Sequence, residues 1–340
     1  KHTDKEDFPM KDFNVHTSPL KVYGVPNFEK NGILERVPRA VREQVPSLDY
    51  LGRRTPGARL AFRTDSEHFE LRIRFEVINP DIGMSLFACQ SANVYVDGRY
   101  LGLARPDNYS QPLAVGKFTK DKAMQDVMIY LPRNEIICDI VVSIDDDARL
   151  EAPTPYKHPV PVIFYGSSIT EGGCCSRPAN AYNALLSRWL DFDYVNLGFS
   201  GSGKGELAIA DYINSLDKCA FVYDYDHNAP SAEHLAATHE PFFRRIREHS
   251  PDLPVLMLTK PDADYDPESG KRRDIIRATY EHAVAAGDKR VWFIDGATYY
   301  GDTDRDACSA DTCHPNDLGM YRMAQTMRPV MEEMLALVDR

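Results

Sequence analysis

The sequence predicts an all-β sandwich or jelly-roll domain followed by an α/β domain built on a parallel sheet. Its 340 residues are about twice the length of a typical domain. The first half shows short strand patterns without helices between them, whereas the second half alternates strands with helices. A Pro-rich stretch at 152–155 separates the two patterns. We therefore expect domains at 1–152 and 153–340.

Strands of the first half are predicted from a period of two. Between Phe69 and Phe75 apolar residues alternate with charged ones, which is typical of a strand with one buried face. The dipeptide Asp97-Gly98 between two such runs predicts a hairpin, because it supplies the positive φ angles of a two-residue turn. Residues 1 to about 50 are rich in charge and Pro and are predicted to be mostly irregular. Further predictions are strands at 93–96, 100–103, 126–131 and 136–144 and a short helix at 37–42.

Longer apolar runs alternate with helical patterns in the second half, which predicts a parallel sheet with helices on both faces. Ligands bind such sheets at the carboxyl ends of the strands. Polar or Gly-rich segments that directly follow these strands are therefore candidate ligand-binding or catalytic sites. The predicted strands are 160–165, 193–196, 219–223, 255–258 and 291–294, and the predicted helices lie near 179–190, 205–216, 233–249, 270–287 and 317–337.

Four short segments in this half together supply the parts of a serine esterase. A hydroxyl nucleophile needs an adjacent base, a group that orients the base, and donors for the developing oxyanion. Three of the segments directly follow predicted strands, and the fourth lies in the loop before the last helix, so all four are expected at one sheet edge. The segments are Gly166-Ser167-Ser168-Ile169-Thr170, Asn196-Leu197-Gly198-Phe199-Ser200-Gly201, His227-Asn228 and Asp311-Thr312-Cys313-His314-Pro315-Asn316.

These segments resemble, in order, the four sequence blocks of the SGNH (GDSL-type) hydrolase superfamily, over roughly 159–338. The resemblance implies a flavodoxin-like parallel sheet, a catalytic triad of Ser168, His314 and Asp311, and no metal or organic cofactor. It also implies an oxyanion hole made by the backbone N–H groups of Ser168 and Gly201 and the side-chain amide of Asn228. The chain departs from the family pattern at three positions: Ser167 replaces an Asp, and His227 and Ala229 replace a Gly and an Asp.

Other interpretations compete at each of these segments. Ser167 offers a second hydroxyl as nucleophile, and His227 offers a second imidazole as base. The Gly-rich run at 198–205 suggests a phosphate site, but it lacks both the G-x-G-x-x-G spacing and the P-loop G-K-[ST]. The acidic run at 302–306 suggests calcium, but without the EF-hand's Gly and terminal Glu a solvated acidic loop is the expectation.

The seven cysteines divide into two groups. Cys89, Cys138 and Cys219 lie in apolar, strand-like runs and are expected in the core. The remaining four flank the proposed catalytic segments, where three alternatives stay open. They are a zinc site that includes His314, a disulfide between Cys308 and Cys313, and free thiols as the default. The four are Cys174, Cys175, Cys308 and Cys313.

The net charge and the lengths of the apolar runs indicate which partners the protein is not expected to bind. With 40 Lys and Arg against 51 Asp and Glu, the formal net charge is −11, which argues against nucleic acid and anionic lipid as partners. No apolar run approaches the ~18 residues of a membrane span. The odd number of cysteines favours a cytoplasmic location, while a secreted or periplasmic one stays open and the oligomeric state is not specified.

The expected substrate is an acylated carbohydrate. The segment 55–66 resembles the start of the β-sandwich that precedes SGNH domains in bacterial carbohydrate deacetylases and in a polyketide-tailoring acyltransferase. This resemblance favours an O-acetyl esterase acting on a carbohydrate, with an acyltransferase or small-molecule esterase as the alternative. Connections after the strands are short and supply no apolar lid, which favours short acyl groups. A carbohydrate-binding protein without activity is the non-enzyme alternative.

Overall fold

Two β-sheets of different kinds organise the chain in a computed structural model, which describes residues 9–81, 83–108, 110–262 and 264–338. The first ten strands form an antiparallel sheet, and the last five form a parallel sheet. The strands are β1 (Met10–Asn14), β2 (Lys21–Tyr23), β3 (Arg59–Thr64), β4 (His68–Phe75), β5 (Ala92–Val96), β6 (Arg99–Pro106), β7 (Leu113–Thr119), β8 (Gln125–Tyr130), β9 (Ile137–Asp145), β10 (Leu150–Glu151), β11 (His158–Gly166), β12 (Phe192–Gly198), β13 (Ala220–Asp224), β14 (Val255–Leu258) and β15 (Val291–Ile294).

The longer helices all belong to the second half of the chain. Across the described residues, no helix is both long enough and apolar enough to cross a bilayer. The helices are α1 (Phe28–Asn31), α2 (Arg39–Arg42), α3 (Asp49–Arg53), α4 (Leu86–Gln90), α5 (Ser168–Glu171), α6 (Tyr182–Leu190), α7 (Leu207–Asn214), α8 (Ala232–His249), α9 (Pro267–Ala285) and α10 (Asp317–Val338), with 3-10 turns at Pro46–Leu48, Pro178–Asn180, Asp226–Asn228, Gly296–Thr298 and Asp306–Cys308.

The antiparallel sheet runs in the order β1-β9-β4-β7-β6-β5-β8-β3-β10, with β2 paired to β3. The period of two in β4 is confirmed, because Phe69, Leu71, Ile73 and Phe75 are all buried in the core of this sheet. The predicted hairpin is also confirmed: Val96 pairs with Arg99 across the turn, whose two residues have φ angles of 45° and 74°. The antiparallel strands agree with the prediction, but the expectation of no intervening helices is wrong, because the short helices α1 to α3 lie between β2 and β3 and α4 lies between β4 and β5. The jelly-roll topology stays a prediction.

The prediction of irregular structure up to residue 50 is wrong for two segments. β1 pairs with β9 and β2 pairs with β3. Both strands are short and only partly buried, so their own residues carry little alternation. Their partners lie far along the chain, and β pairing of that kind depends on tertiary contacts that a local pattern does not contain.

The parallel sheet has the strand order β12-β11-β13-β14-β15, which is the flavodoxin-like order. Because successive side chains of a strand point to opposite faces, β11 contributes to two cores. Val162 and Phe164 pack with α6 and α10, whereas Ile163 and Tyr165 pack with α7, α8 and α9. Helices therefore cover both faces, as predicted.

Part of the N-terminal region packs against the parallel sheet. Val37, Val45 and Leu48, from the helical segment between β2 and β3, join the same core cluster as Ile163 and Tyr165 of β11. This segment therefore contributes to the parallel-sheet core although its flanking strands belong to the antiparallel sheet. The division of the chain at 152/153 stays a prediction.

Candidate active site

Ser168 lies just beyond the carboxyl end of β11, which pairs with β12 and β13, and it begins α5. A Cβ atom on Gly166 would lie 1.9 Å from the carbonyl oxygen of Asp224, so only glycine permits this close turn. Ser167 precedes the helix and caps it, since its Oγ accepts a hydrogen bond from the Ile169 backbone N–H at 3.1 Å. The turn thereby aims the Ser168 side chain outward from the sheet edge.

His314 joins Ser168 to Asp311. Its Nε2 lies 2.8 Å from the Ser168 Oγ, and its Nδ1 lies 2.7 Å from a carboxylate oxygen of Asp311. The tautomer that satisfies both contacts carries its proton on Nδ1, which leaves Nε2 as an acceptor for the serine proton. The arrangement can therefore withdraw a proton from Ser168 and hold the resulting imidazolium against a carboxylate.

Asp311 is held in its ionised form by the residues it orients. Its other oxygen accepts the backbone N–H groups of His314 at 2.6 Å and Cys313 at 3.0 Å. Burial by itself would raise the pKa of Asp311, but the hydrogen bonds from the backbone and imidazole of His314 outweigh it and lower the pKa. Asp311 is thus a carboxylate at neutral pH, as an orienting group for an imidazole must be.

A tight local loop carries both residues. Thr312 between them has a φ of 67°, an unusual angle for a β-branched residue. The loop closes through an Ala310 N–H bond to the His314 carbonyl at 2.9 Å. Asn316 then accepts the backbone N–H groups of Leu318 and Gly319 at the start of α10. Asp311 and His314 are therefore positioned almost entirely by their sequence neighbours.

Gly201 and Asn228 lie at the ends of the two strands that flank β11. Gly201 has a φ of 66°, and a Cβ atom added to it would have no neighbouring atom within 4 Å. A positive φ, rather than crowding, is therefore the structural reason for glycine here. The Asn228 side-chain amide donates one hydrogen to the Phe199 carbonyl at 2.8 Å. Because an amide NH₂ has two donors, the second stays available to a substrate oxygen.

The structure separates the two competing residues from these positions. The Ser167 hydroxyl is fully buried and acts as a helix cap. The His227 Nε2 lies 2.8 Å from the Cys313 Sγ. Burial, with smaller contributions from Lys260 and His314, lowers the pKa of His227 to about 4, so this imidazole is neutral at physiological pH. Ser168 and His314 are the hydroxyl and imidazole that the fold brings into contact.

One of the cysteine predictions is wrong. Cys89 and Cys219 are buried as expected, but Cys138 is exposed. Its strand β9 has one face toward the core and one toward solvent, and Cys138 lies on the outer face. Burial of Cys89 raises the pKa of its thiol to about 11.

The four cysteines near the site are all free thiols. Cys175 and Cys308 are buried, whereas Cys174 and Cys313 are partly exposed. Cys174, Asp311 and His314 place potential ligand atoms within 4.8 Å of one another. The zinc set suggested by the sequence is thus divided, because Cys175, Cys308 and Cys313 fall outside this group.

The acidic and Gly-rich runs have structural explanations. Asp302, Asp304 and Asp306 are exposed, in agreement with a solvated acidic loop. In the Gly-rich run, a Cβ atom on Gly203 would lie 2.5 Å from the carbonyl oxygen of Gly166. This glycine therefore allows the loop after β12 to pack against the end of the nucleophile strand.

A buried ionic cluster next to Ser168 was not predicted from the sequence. Glu171, in the last position of α5, is fully buried and lies 2.9 Å from Arg133, 3.7 Å from Arg36 and 3.8 Å from Arg54. Burial by itself would raise the pKa of Glu171, but the three guanidinium groups outweigh it and lower the pKa. Its position three residues after Ser168 was visible in the sequence, whereas its partners, 38 to 135 positions away, were not.

Arg36 also connects this cluster to β12, the strand that precedes Gly201. Its Nη1 donates to the carbonyl oxygens of Asn196 and Gly198 at 2.8 Å each. Burial lowers the pKa of Arg36 to about 9, which still leaves it a cation at neutral pH. One buried side chain from the N-terminal region therefore contacts both α5 and the end of β12.

A pocket of about 690 Å³ opens beside Asp311. The loops before α9 and before α10 line it, with Asp262, Asp264, Tyr265 and Arg305 among its residues. Arg305 is paired with both aspartates, and Tyr265 is 73% exposed. A second cleft, of about 720 Å³, lies at the carboxyl ends of α8 and α9, on the opposite edge of the sheet from Ser168.

Comparison with protein families agrees with the α/β fold of the second half of the chain. Residues 159–332 match the GDSL-like Lipase/Acylhydrolase family, a span of slightly more than half the chain. The protein belongs to this family of SGNH hydrolases. No curated protein sequence matches it significantly.

Solved structures share the fold along nearly the whole chain. A GDSL-like lipase from Bacteroides ovatus superposes with a TM-score of 0.85 at 24% identity, covering 96% of this chain and 98% of that one. The salicylyl-acyltransferase of a tetracycline biosynthetic pathway gives 0.80 at 21% identity, covering 97% and 99%. A family two carbohydrate esterase from Cellvibrio japonicus gives 0.65 at 12% identity, covering 96% and 98%. The similarity includes the antiparallel sheet as well as the hydrolase domain.

Proposed function

We propose that this protein is a serine esterase that removes short acyl groups, acetyl above all, from a carbohydrate. We assign catalysis to the unit 153–340 and regard 1–152 as a β-sandwich of jelly-roll type. The observation that carries the proposal is the hydrogen-bonded chain from Ser168 through His314 to Asp311. Membership of a hydrolase family makes an ester the natural substrate class.

In the proposed mechanism, the Ser168 oxygen attacks the acyl carbon while the His314 Nε2 takes its proton. The imidazolium is stabilised by Asp311 through the Nδ1 contact. His314 then returns the proton to the leaving alcohol, and the acyl group stays on Ser168 as an ester. A water molecule, deprotonated by His314, attacks this ester and releases the acid.

Three donors would hold the oxyanion in both tetrahedral intermediates. They are the backbone N–H groups of Ser168 and Gly201 and the free hydrogen of the Asn228 amide. Ser168 is the first residue of α5, so its N–H lacks an acceptor within the helix. Each such donor is worth about 10²- to 10³-fold in kcat.

The pocket beside Asp311 supports a polar, uncharged alcohol such as a sugar. Its acidic residues would repel a polyanion, and the cation Arg305 is already paired with them. An exposed tyrosine, Tyr265, adds an apolar ring with a polar tip. The family two carbohydrate esterases lend support through their fold.

The direct test is acetate release from a panel of acetylated glycans, with p-nitrophenyl acetate as a generic substrate. The wild type should hydrolyse p-nitrophenyl acetate and at least one glycan, and the Ser168→Ala variant should hydrolyse neither. Turnover of the generic ester without acetate release from any glycan would remove the carbohydrate from the proposal. Absence of both activities in folded wild type would favour a binding protein.

The short-acyl preference is tested by p-nitrophenyl esters of increasing length. Each buried CH₂ is worth about 0.8 kcal/mol where a surface exists to bury it, and the pocket beside Asp311 is lined by charged groups. We therefore expect kcat/KM to fall from acetate to octanoate. A rise toward octanoate would contradict both the acetyl preference and the deacetylase assignment.

An acyltransferase is the second candidate. It is favoured by the whole-length structural match to an acyltransferase, whose fold includes the antiparallel sheet. The two candidates share the acyl-Ser168 intermediate and differ in whether water or an alcohol attacks it. Addition of polyhydroxylated acceptors during turnover of p-nitrophenyl acetate distinguishes them: a transferase yields acetylated acceptor in place of free acetate.

A further inference from the structure

Cys174 lies close to Asp311 and His314, two members of the proposed catalytic triad. Potential ligand atoms of these three residues are within 4.8 Å of one another, and they form the one group of three or more such residues found among the described positions. Cys174 is partly exposed and Asp311 is exposed, so an ion from solvent can reach the group. This proximity matters because a thiol, a carboxylate and an imidazole are the ligands that zinc uses in proteins.

We propose that Cys174, Asp311 and His314 form an inhibitory site for a thiophilic divalent metal ion of the Zn²⁺ type. Zinc binds sulfur at about 2.3 Å and nitrogen or oxygen at about 2.0–2.2 Å, so tetrahedral ligands lie roughly 3.3–3.8 Å apart. A separation of 4.8 Å has to close by about 1.0–1.5 Å. If Nδ1 of His314 is the ligand atom, its 2.7 Å hydrogen bond to Asp311 has to open. A water molecule would complete the fourth position.

The surroundings of the three ligands favour a soft cation. The Cys174 Sγ lies 3.8 Å from the Met84 Sδ and makes one weak contact to a backbone carbonyl at 3.5 Å. On the other side of the imidazole, the Cys313 Sγ lies 3.9 Å from the His314 Nε2. Sulfur ligands select Zn²⁺, Cd²⁺ and Cu⁺ over Mg²⁺ and Ca²⁺. Cys313 is a weaker candidate ligand, because its thiol already contacts His227 at 2.8 Å.

Metal binding and catalysis exclude each other at this site. The metal replaces the thiol proton of Cys174, which passes to solvent, and occupies a lone pair of His314. Ligation at Nε2 removes the acceptor for the Ser168 proton. Ligation at Nδ1 breaks the hydrogen bond to Asp311 and shifts the imidazole proton from Nδ1 to Nε2, which then cannot accept the Ser168 proton. This consequence rests on the proposed esterase function, whereas the binding itself does not.

Two measurements test the site separately. Zn²⁺ or Cd²⁺ added to the full-length protein should inhibit p-nitrophenyl acetate hydrolysis, and EDTA should restore it. Cd²⁺ titration followed by its ultraviolet thiolate charge-transfer band reports binding without reference to activity. Loss of a residue that only hydrogen-bonds to a metal ligand already weakens metal affinity by about 10- to 100-fold. Cys174→Ser, which removes a direct ligand, should therefore weaken both binding and inhibition by at least about 100-fold.

Cys138→Ser is the matched control, because Cys138 is an exposed thiol on the outer face of β9. This variant should be inhibited by Zn²⁺ or Cd²⁺ like the wild type. It should also retain the Cd²⁺ thiolate charge-transfer band that depends on Cys174. The proposal is overturned if Cys174→Ser binds Cd²⁺ and is inhibited like the wild type, or if Cys313→Ser alone abolishes both. A normal Cd²⁺ titration that depends on Cys174, in a protein without esterase activity, would retain the metal site and refute the esterase function instead.

Discussion

The nucleophile and the base of the proposed triad are held in place by different means. Ser168 begins a buried helix whose last residue, Glu171, is bound by arginines from three distant parts of the chain. Asp311, by contrast, has a side chain that is 49% exposed and sits in a loop whose hydrogen bonds connect residues 309–319 to one another. One side depends on the whole fold, and the other depends on its sequence neighbours.

Because the two sides are held differently, substitutions on them should affect activity and stability in different proportions. Buried charges that lose a partner strongly destabilise a fold, whereas exposed loop residues are usually tolerant of change. Loss of the buried charge of Glu171 on the nucleophile side should therefore reduce stability and activity together. Changes on the base side should reduce activity alone.

The largest expected effect is that of Ser168→Ala. Loss of a serine nucleophile costs about 10⁶-fold in kcat in a well-studied serine hydrolase, and we expect a loss of this order here, with little change in Tm. The comparison variant Ser167→Ala should keep most activity and lose about 0.5–2 kcal/mol of stability, because it removes a helix cap. A serine-reactive phosphonate that labels Ser167 instead of Ser168 would contradict the assignment.

On the base side, Asp311→Asn should lower kcat by about 10⁴-fold, because the amide favours the wrong imidazole tautomer. Its Tm should stay close to that of the wild type, since the side chain is half exposed and the loop keeps its backbone bonds. Steady-state kinetics and thermal unfolding on the same preparation check both parts. A large fall in Tm would show that the base loop is as integral to the fold as the nucleophile helix.

Glu171→Gln replaces a carboxylate by an amide on the nucleophile side, as Asp311→Asn does on the base side. It leaves three buried guanidinium groups without their carboxylate, a change that typically costs about 3–5 kcal/mol. We expect a clear loss of stability in urea unfolding, with activity lost in parallel as α5 shifts. The exposed pair Arg39 and Glu43 offers a control, since Glu43→Gln should change stability by less than about 1 kcal/mol. Equal effects of the two variants would refute a special role for the buried cluster.

The pH profile distinguishes the two imidazoles. Activity should fall on acidification, because a protonated general base can no longer accept the serine proton. His227 has its pKa lowered to about 4, so it stays neutral well above that pH and cannot produce a decline there. His227→Ala should therefore retain the acid limb of kcat/KM. Loss of that limb in His227→Ala, or a defect as severe as that of His314→Ala, would reassign the base.

The smallest expected effect concerns Asp224, at the end of β13. Burial, with a contribution from Asp226, raises its pKa to about 7. A raised pKa in the folded state stabilises the protein below the unfolded value near 4, and this stability is lost as pH rises through about 7. Asp224→Asn should accordingly unfold at a higher temperature than the wild type at pH 8 and gain nothing at pH 4.

Asp211 is the control for Asp224, because its pKa is lowered in the folded state rather than raised. Hydrogen bonds from Arg245 lower its pKa on the exposed surface, so its carboxylate is favoured in the folded state. Asp211→Asn should give no gain in Tm at pH 8. A gain in both variants would indicate a general effect of net charge rather than the burial of Asp224.

Local patterns predicted the elements well wherever those elements bury a continuous face. The five parallel strands, the five helices after residue 180 and the hairpin at Asp97-Gly98 agree with the structure to within a few residues. The prediction failed where burial depends on a distant partner. β1 and β2 are too short to show a period, and Cys138 lies on the solvent face of a strand whose apolar residues suggested a core position.

Local strand patterns were enough to predict that Ser168, Gly201 and Asn228 follow parallel strands, whose carboxyl ends share one edge. Sequence spacing also put Asp311 and His314 on one loop. The convergence of Arg36, Arg54 and Arg133 on Glu171 and the position of Cys174 beside the imidazole became visible in the folded structure. Such contacts join residues far apart in the chain, and side-chain type alone does not specify which of many possible partners the folded backbone brings within reach.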